Sequence, residues 1–440
     1  MLPRISIILG LIIGIALAAL VYRISSTDSL PTVLTFMDQE SRPELFSTLH
    51  EVMPSSPILA STRPRLLLPL LGSFEPLYTW QGQEKSLDDL LQETRGMGLM
   101  VLRDGGILAE RYTPGLDRNT PVSIWTASEA HLSTLVGIAV QKGLIESLED
   151  PVEKYARSFE GTEYGQVPIR NLLDGNSSMD FPPGIGLPIP DHLETYLDLV
   201  VFPPDLDTMA HSMRSQAERE TERIPLPTDP HVLSAVIQGA WGDERSLVEI
   251  LQDELWEPLG FGGNASWVED PTDPTGRILI RCCLSMRLLD FAHLGQVYLE
   301  DGSFRGERYL PTGWTHITES TDPESRGPGD DGSELTYGSG FWVPADSEDE
   351  FMALGSFGQA LWIDRANQIV IAHVSAGDEL PLDERIHAYR AIAQAARMSA
   401  PFVEEITTDP GIPSEVPEPG QENEGDAAAQ DQETQGNQSP

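Results

Sequence analysis

The chain has 440 residues, 40% of them apolar, and a formal net charge of −41. That length can bury a large core in one large or two modest domains, and that charge excludes nucleic acid and anionic surfaces as partners of the body's own field. Only three lysines occur, Lys85, Lys142 and Lys154, and only two cysteines, the adjacent Cys282 and Cys283. Neighbouring cysteines rarely have disulfide geometry, so these two read as buried small apolar residues and no disulfide framework is expected.

Residues 1–23 contain an uncharged run, ISIILGLIIGIALAALVY at 5–22, at the short end for a spanning helix. Arg4 before it favours a cytoplasmic start and an outward body. Ala16-Leu17-Ala18 offers a signal-peptidase site as the alternative. The expectation is a single-pass inner-membrane anchor with the body facing the periplasm, or a secreted body if the segment is cleaved. Residues 24–97 read as an irregular approach segment with scattered Pro and Ser. At Gly98 the pattern GLMVLRDGGILAERY gives two strands about a turn at Asp104-Gly105-Gly106. Next comes VSIWTASEAHLSTLVGIAVQKGLIESLEDPVEKYAR at 122–157, where Leu132, Leu135, Val136, Ala139 and Val140 share one helix face. Residues 181–230 are rich in Pro and charge and read as an insert with a helix around His211–Glu222. Helices follow within 231–261 and 282–302, then a loop at Gly327–Glu334, strands from Tyr337 to Val374, and a closing helix near Leu382–Met398. Residues 403–440 hold ten acidic and no basic residues, a solvated tail unable to bury enough surface to order itself. Nine histidines without metal-ligand spacing, and no Gly-x-Ser-x-Gly elbow, leave no support for a metal, a cofactor or α/β-hydrolase chemistry.

Several of these segments resemble, in order, the serine β-lactamase and penicillin-binding-protein superfamily, nearest its class C-like branch with esterases and 6-aminohexanoate-dimer hydrolases. The LVGIAV at Leu135–Val140 and the turn at Gly143–Val152 match that family's nucleophile helix. VPIRNLL at 167–173, LWEPLG at 255–260 and FAHLGQVYLEDG at 291–302 match later motifs. The resemblance covers about Gly98 to Met398, within a domain spanning 98–402. It implies an α/β (α+β) sandwich of the β-lactamase/transpeptidase type. A central antiparallel sheet would be flanked by helices, with a mostly helical region beside it.

The chemistry of the family does not carry over. Its Ser-x-x-Lys falls on Thr126 and Glu129, and Glu129 cannot act as the amine that takes a hydroxyl proton. Thr126-Ala-Ser-Glu129 reads instead as a capping box at the helix N-terminus. The family's Tyr-x-Asn falls near Ile224-Pro225-Leu226-Pro227, and no tyrosine lies between Tyr196 and Tyr298. Its Lys-Thr-Gly or His-x-Gly appears as Gly355-Ser356-Phe357-Gly358, which keeps the glycines and loses the cation. Lys142 is roughly 24 Å from Thr126 along the helix. Two rescue arrangements remain, Ser128 with His131 as a Ser-x-x-His pair, and Thr126 activated by Glu129. The expectation is a non-catalytic relative in which Trp125, Thr126, Ser356 and Gly358 would line a cleft for a peptide, amide or cell-wall fragment. The alternative is a weakly active hydrolase of amide or ester bonds. A cleft filled by Trp125 or Phe357 would point to a structural role.

Overall fold

The computed structural model describes residues 35–36, 38–63, 74–181, 205–216, 225–242, 244–270, 277–317, 327–328, 334–347, 349–377 and 380–399. The 5–22 run, most of the 181–230 insert and the 403–440 tail lie outside the described residues.

The hairpin forms as expected. Strands β1 (Gly96–Arg103) and β2 (Gly106–Tyr112) pair antiparallel, with Arg103 opposite Gly106. Asp104 and Gly105 between them both have positive φ, 49° and 76°, the two-residue turn whose twist suits a hairpin and which favours Asp-Gly. Strands β3 (Gly327–Pro328), β4 (Glu334–Gly338), β5 (Phe341–Pro344), β6 (Glu350–Gly355), β7 (Gln359–Asp364) and β8 (Ile369–Ser375) follow late in the chain. Strand β8 returns to pair with β1, which closes an eight-stranded antiparallel sheet in the order β3-β4-β5-β6-β7-β8-β1-β2. Strands β1, β7 and β8 are buried along their whole length, so they read as continuous apolar runs rather than alternating ones.

The helices that place the site are α1 (Arg42–Val52), α2 (Leu87–Glu93), α3 (Glu129–Gln141), α4 (Thr228–Trp241), α5 (Leu288–Leu299) and α6 (Leu382–Met398). One sheet face, with Leu99, Val101, Trp362 and Ile371, is covered by α2 and α6 through Leu90, Tyr389 and Ile392. The other face, with Leu361, Val370 and Ala372, packs on α5, and the helical region with α3 and α4 continues that core. This is the helix-on-both-faces sandwich expected. A second, four-stranded sheet orders Ser55–Ile58, Ala265–Val268, Leu284–Arg287 and Pro121–Ser123, all antiparallel, and leads the chain toward Thr126.

Four expectations are corrected. Residues 24–97 are not irregular where described. They contain α1, α2, the strand Ser55–Ile58 and the strand pair Leu77–Trp80 with Gln83–Ser86. Their strands are four residues long, and Ser55–Ile58 pairs with Ala265–Val268 far along the chain, so local periodicity had little to show. Of the helix expected around His211–Glu222, residues 217–222 lie outside the described residues, and within the described ones the helix is Leu206–Ser212, whose start Asp205 caps by accepting from the Thr208 amide at 3.0 Å. The loop at Gly327–Glu334 begins and ends in short strand, Gly327 pairing with Leu335 and Pro328 with Glu334. Cys282 and Cys283 are fully buried, as expected, but they are bridged to each other. Cys283 takes φ 74°, the left-handed conformation L residues seldom adopt.

The helical region is tied to the small sheet through Asp290 on α5. Its buried carboxylate accepts from Arg287 Nε at 2.8 Å and Nη2 at 3.0 Å, and from the amides of Gly262 at 2.9 Å and Gly263 at 3.0 Å. With every lone-pair direction used, the charge is compensated, but removing it strands a guanidinium and two amides. Asp290→Ala is expected to lower unfolding stability by about 3–5 kcal/mol, measured by urea denaturation. A loss below about 1 kcal/mol would mean the pair is not a joint of the fold.

Candidate functional site

The strand Pro121–Ser123 pairs with Leu284–Arg287, and the Ile124 amide donates to Leu284 O at 2.9 Å. This fixes the approach to a 3-10 turn, Trp125–Ser128, from which α3 starts at Glu129. Trp125 enters the turn with φ 47°, and Phe357, after β6, has φ 64°. Bulky residues at positive φ are strained by about 1–3 kcal/mol each and persist only where the surroundings over-determine them. Here the two rings hold each other. Trp125 and Phe357 meet edge to face at 4.5 Å between centroids, and Phe46 of α1 lies 4.7 Å from Trp125 and 5.2 Å from Phe357. Phe36 completes the cluster 5.4 Å from Phe357.

Thr126 and Ser356 are brought together. The Ser356 amide donates to Thr126 Oγ1 at 2.9 Å, and the two hydroxyls are 3.4 Å apart. The backbones touch as well. A Cβ at Gly355 would sit 2.8 Å from Ala127 N and 2.9 Å from Ile124 O, so only glycine lets β6 approach the turn this closely. The capping box expected of Thr126 and Glu129 does not form. Thr126 is held across the gap by Ser356, and α3 begins without a side-chain cap.

Glu129 turns toward a group of residues the sequence reading did not select. Its carboxyl hydrogen-bonds the Tyr337 hydroxyl at the end of β4, and burial pushes its pKa up to about 7. Arg281 acts in the opposite direction on it, and Asp229 adds to the rise. Asp229, in the first turn of α4, is also pushed up to about 7 by burial. It accepts from Tyr164 Oη at 2.9 Å and from the Leu226 amide at 3.0 Å. Burial, then the charge of Glu129, holds the Tyr337 phenol well above its ordinary range. Glu129 keeps some surface open, but its carboxyl is enclosed. Beside it lies a cavity of about 20 Å³, bordered by Ser133, Leu173, Pro225, Asp229 and Tyr337. That is room for about one water.

The other expected residues are placed elsewhere. Trp125 is spent in the aromatic cluster. Gly358 lies against β8, where a Cβ would sit 2.5 Å from Ser375 Oγ. Ser128 and His131 are both fully buried and no hydrogen bond joins their side chains. His131 stacks on Trp256 at 6.2 Å, and burial pushes its pKa down to about 3, so it is a neutral core ring. Each lysine is engaged away from Thr126: Lys85 with Glu384 and Glu93, Lys142 with Glu254, and Lys154 with Glu146 and Asp150. Among the described residues no set of three His, Cys, Asp or Glu is arranged to hold a metal ion.

A hydrolase of this architecture needs a base on the nucleophile and a free amide to receive the oxyanion. At Thr126 the amide of Ser356 is already used by the hydroxyl, and the residue one turn on is an acid paired with a phenol. A carboxyl whose folded pKa lies above its unfolded value contributes fully below about pH 4.5, and that contribution is lost as pH rises toward about 7. Glu129→Gln should remove this term. Unfolding stability of the parent is expected to fall relative to the variant between pH 4.5 and 7, measured as urea midpoints. A difference that stays constant across this window would show that Glu129 titrates normally.

The β-lactamase family pattern matches residues 84–396. The 6-aminohexanoate-dimer hydrolase of Paenarthrobacter ureafaciens is 24% identical over 377 residues, 79% of this chain and 88% of that protein. A Bacillus anthracis structure assigned as a 6-aminohexanoate-dimer hydrolase superposes with a TM-score of 0.67 at 21% identity, covering 81% of this chain and 93% of its own. A penicillin-binding-protein homologue from Caulobacter crescentus shares the fold at a TM-score of 0.51 and 14% identity, over 68% of this chain and 92% of its own. With the family pattern running through both the sheet and the helical region, the chain belongs to the β-lactamase-related serine hydrolase family.

Proposed function

We propose that this protein is a non-hydrolytic member of the family, exported and held at the inner membrane by residues 5–22, and that it acts by binding rather than by turnover. The observation that carries the reading is the Thr126–Ser356 joint. The hydroxyl of Thr126, aligned with the family's nucleophile, is a structural acceptor for the Ser356 amide. Glu129 adds that no proton acceptor of the lysine type stands one turn away. The anchor rests on the uncharged run and on Arg4 before it. Among the described residues no helix is long and apolar enough to cross a membrane.

A peptide, amide or cell-wall fragment would be the ligand class if the family's cleft is used. The cavity of about 20 Å³ at Glu129 is far too small for such a molecule. Trp125 and Phe357 are packed into the core rather than held open. Among the described residues, both observations favour a partner protein, met through the surface, over a small molecule held in the cavity at Glu129. The second reading, weak hydrolysis of amide or ester bonds, is favoured by the name and the 24% identity of the Paenarthrobacter ureafaciens relative.

Intact-protein mass spectrometry after incubation with a fluorophosphonate and with penicillin separates the two. The binding reading predicts no adduct under conditions that fully label an active 6-aminohexanoate-dimer hydrolase. A stoichiometric adduct that disappears in Thr126→Ala or Ser128→Ala would establish the hydrolase and name its nucleophile.

A further inference from the structure

The Cys282–Cys283 bridge lies between two attachments to the candidate site. Immediately before it, Arg281 places the positive charge that acts on Glu129. Immediately after it, Leu284 supplies the carbonyl that receives the Ile124 amide, two residues ahead of Thr126. The bridge is also knit into the small sheet. Cys282 O accepts from Trp267 Nε1 at 2.6 Å, and Cys283 O accepts from the Val268 amide at 3.3 Å. These are the chain's only cysteines, so the pair has two states, bridged or dithiol, and no alternative partner within the chain. Cys283 sits at φ 74°, which an unbridged cysteine has no side-chain reason to keep.

We propose that Cys282–Cys283 is a redox modification site, and that its reduction by a dithiol loosens the turn carrying Thr126. A thiolate of the reductant attacks one Sγ and releases the other as a thiol, forming a mixed disulfide. The reductant's second thiol then displaces the remaining cysteine. The bridge gains two electrons and two protons, and the reductant leaves as its own disulfide. Both sulfurs are fully buried, so attack proceeds through opening of the Ile280–Cys283 turn and is faster in denaturant than in the native protein. Once reduced, Cys283 returns to negative φ, Leu284 O leaves its alignment with Ile124, and Arg281 is released from its place near Glu129. The inference holds whether the site binds or hydrolyses.

The test uses the full chain purified without reductant. Alkylation in denaturant is expected to add nothing before dithiothreitol and two groups after it. Hydrogen exchange is then followed in peptides spanning 121–129 in the oxidised chain, in the reduced chain, and in the Cys282→Ser/Cys283→Ser variant. The Ile124 amide is expected to exchange faster by about tenfold or more in both dithiol-like forms, while peptides of β7 and β8 remain unchanged. Alkylation of the untreated protein would overturn the proposal. So would unchanged exchange at 121–129 on reduction, or an equal acceleration through β7 and β8, which would make the bridge a general staple. If the double variant does not fold, the reduced native chain still decides the matter.

Discussion

The hydrogen bond from the Ser356 amide to Thr126 Oγ1 is the interaction on which the rest of the site depends. It joins the end of β6 to the turn that opens α3, and so joins the sheet layer to the helical layer. The bond can form only because Gly355 lets two backbones touch. It persists because Trp125 and Phe357, both at positive φ, are clamped by Phe36 and Phe46. Strain at such positions is the usual mark of a site that positions a reacting group. Here the strained frame is present and the groups on it are neutral or acidic.

A glutamate at position 129 sets its own demands on the surroundings. A buried ammonium would need acceptors, whereas a buried carboxyl needs donors or a proton. The chain supplies Tyr337 as donor and Arg281 as counter-charge, and it enriches the acidity with Asp229. Burial holds both carboxyls, Glu129 and Asp229, up to about 7 within one enclosed cluster.

Much of this was legible from the residues. The Asp104-Gly105 hairpin, the apolar stripe of α3, the closing helix at Leu382–Met398 and the sandwich itself follow from periodicity, turn chemistry and the run of family motifs. The placing of Thr126 and Glu129 at the head of α3 was legible too, because LVGIAV marks the body of that helix. The geometry was not. Thr126 has the composition of a helix cap, and only the long-range return of β6 shows that its hydroxyl serves Ser356 instead. Tyr337, Asp229 and Arg281 come from three distant segments, and nothing local distinguishes them from a strand tyrosine, a first-turn acid and a turn arginine. The cysteine bridge was hidden for a similar reason, since it depends on a backbone conformation at Cys283 that sequence does not display.

The most direct measurement is the unfolding free energy of Thr126→Ala against the parent at pH 7 in urea. If Thr126 is a structural joint, losing its bond to the Ser356 amide lowers stability by about 1 kcal/mol. Unchanged or increased stability is what removal of a strained functional group gives, and that result would contradict the account.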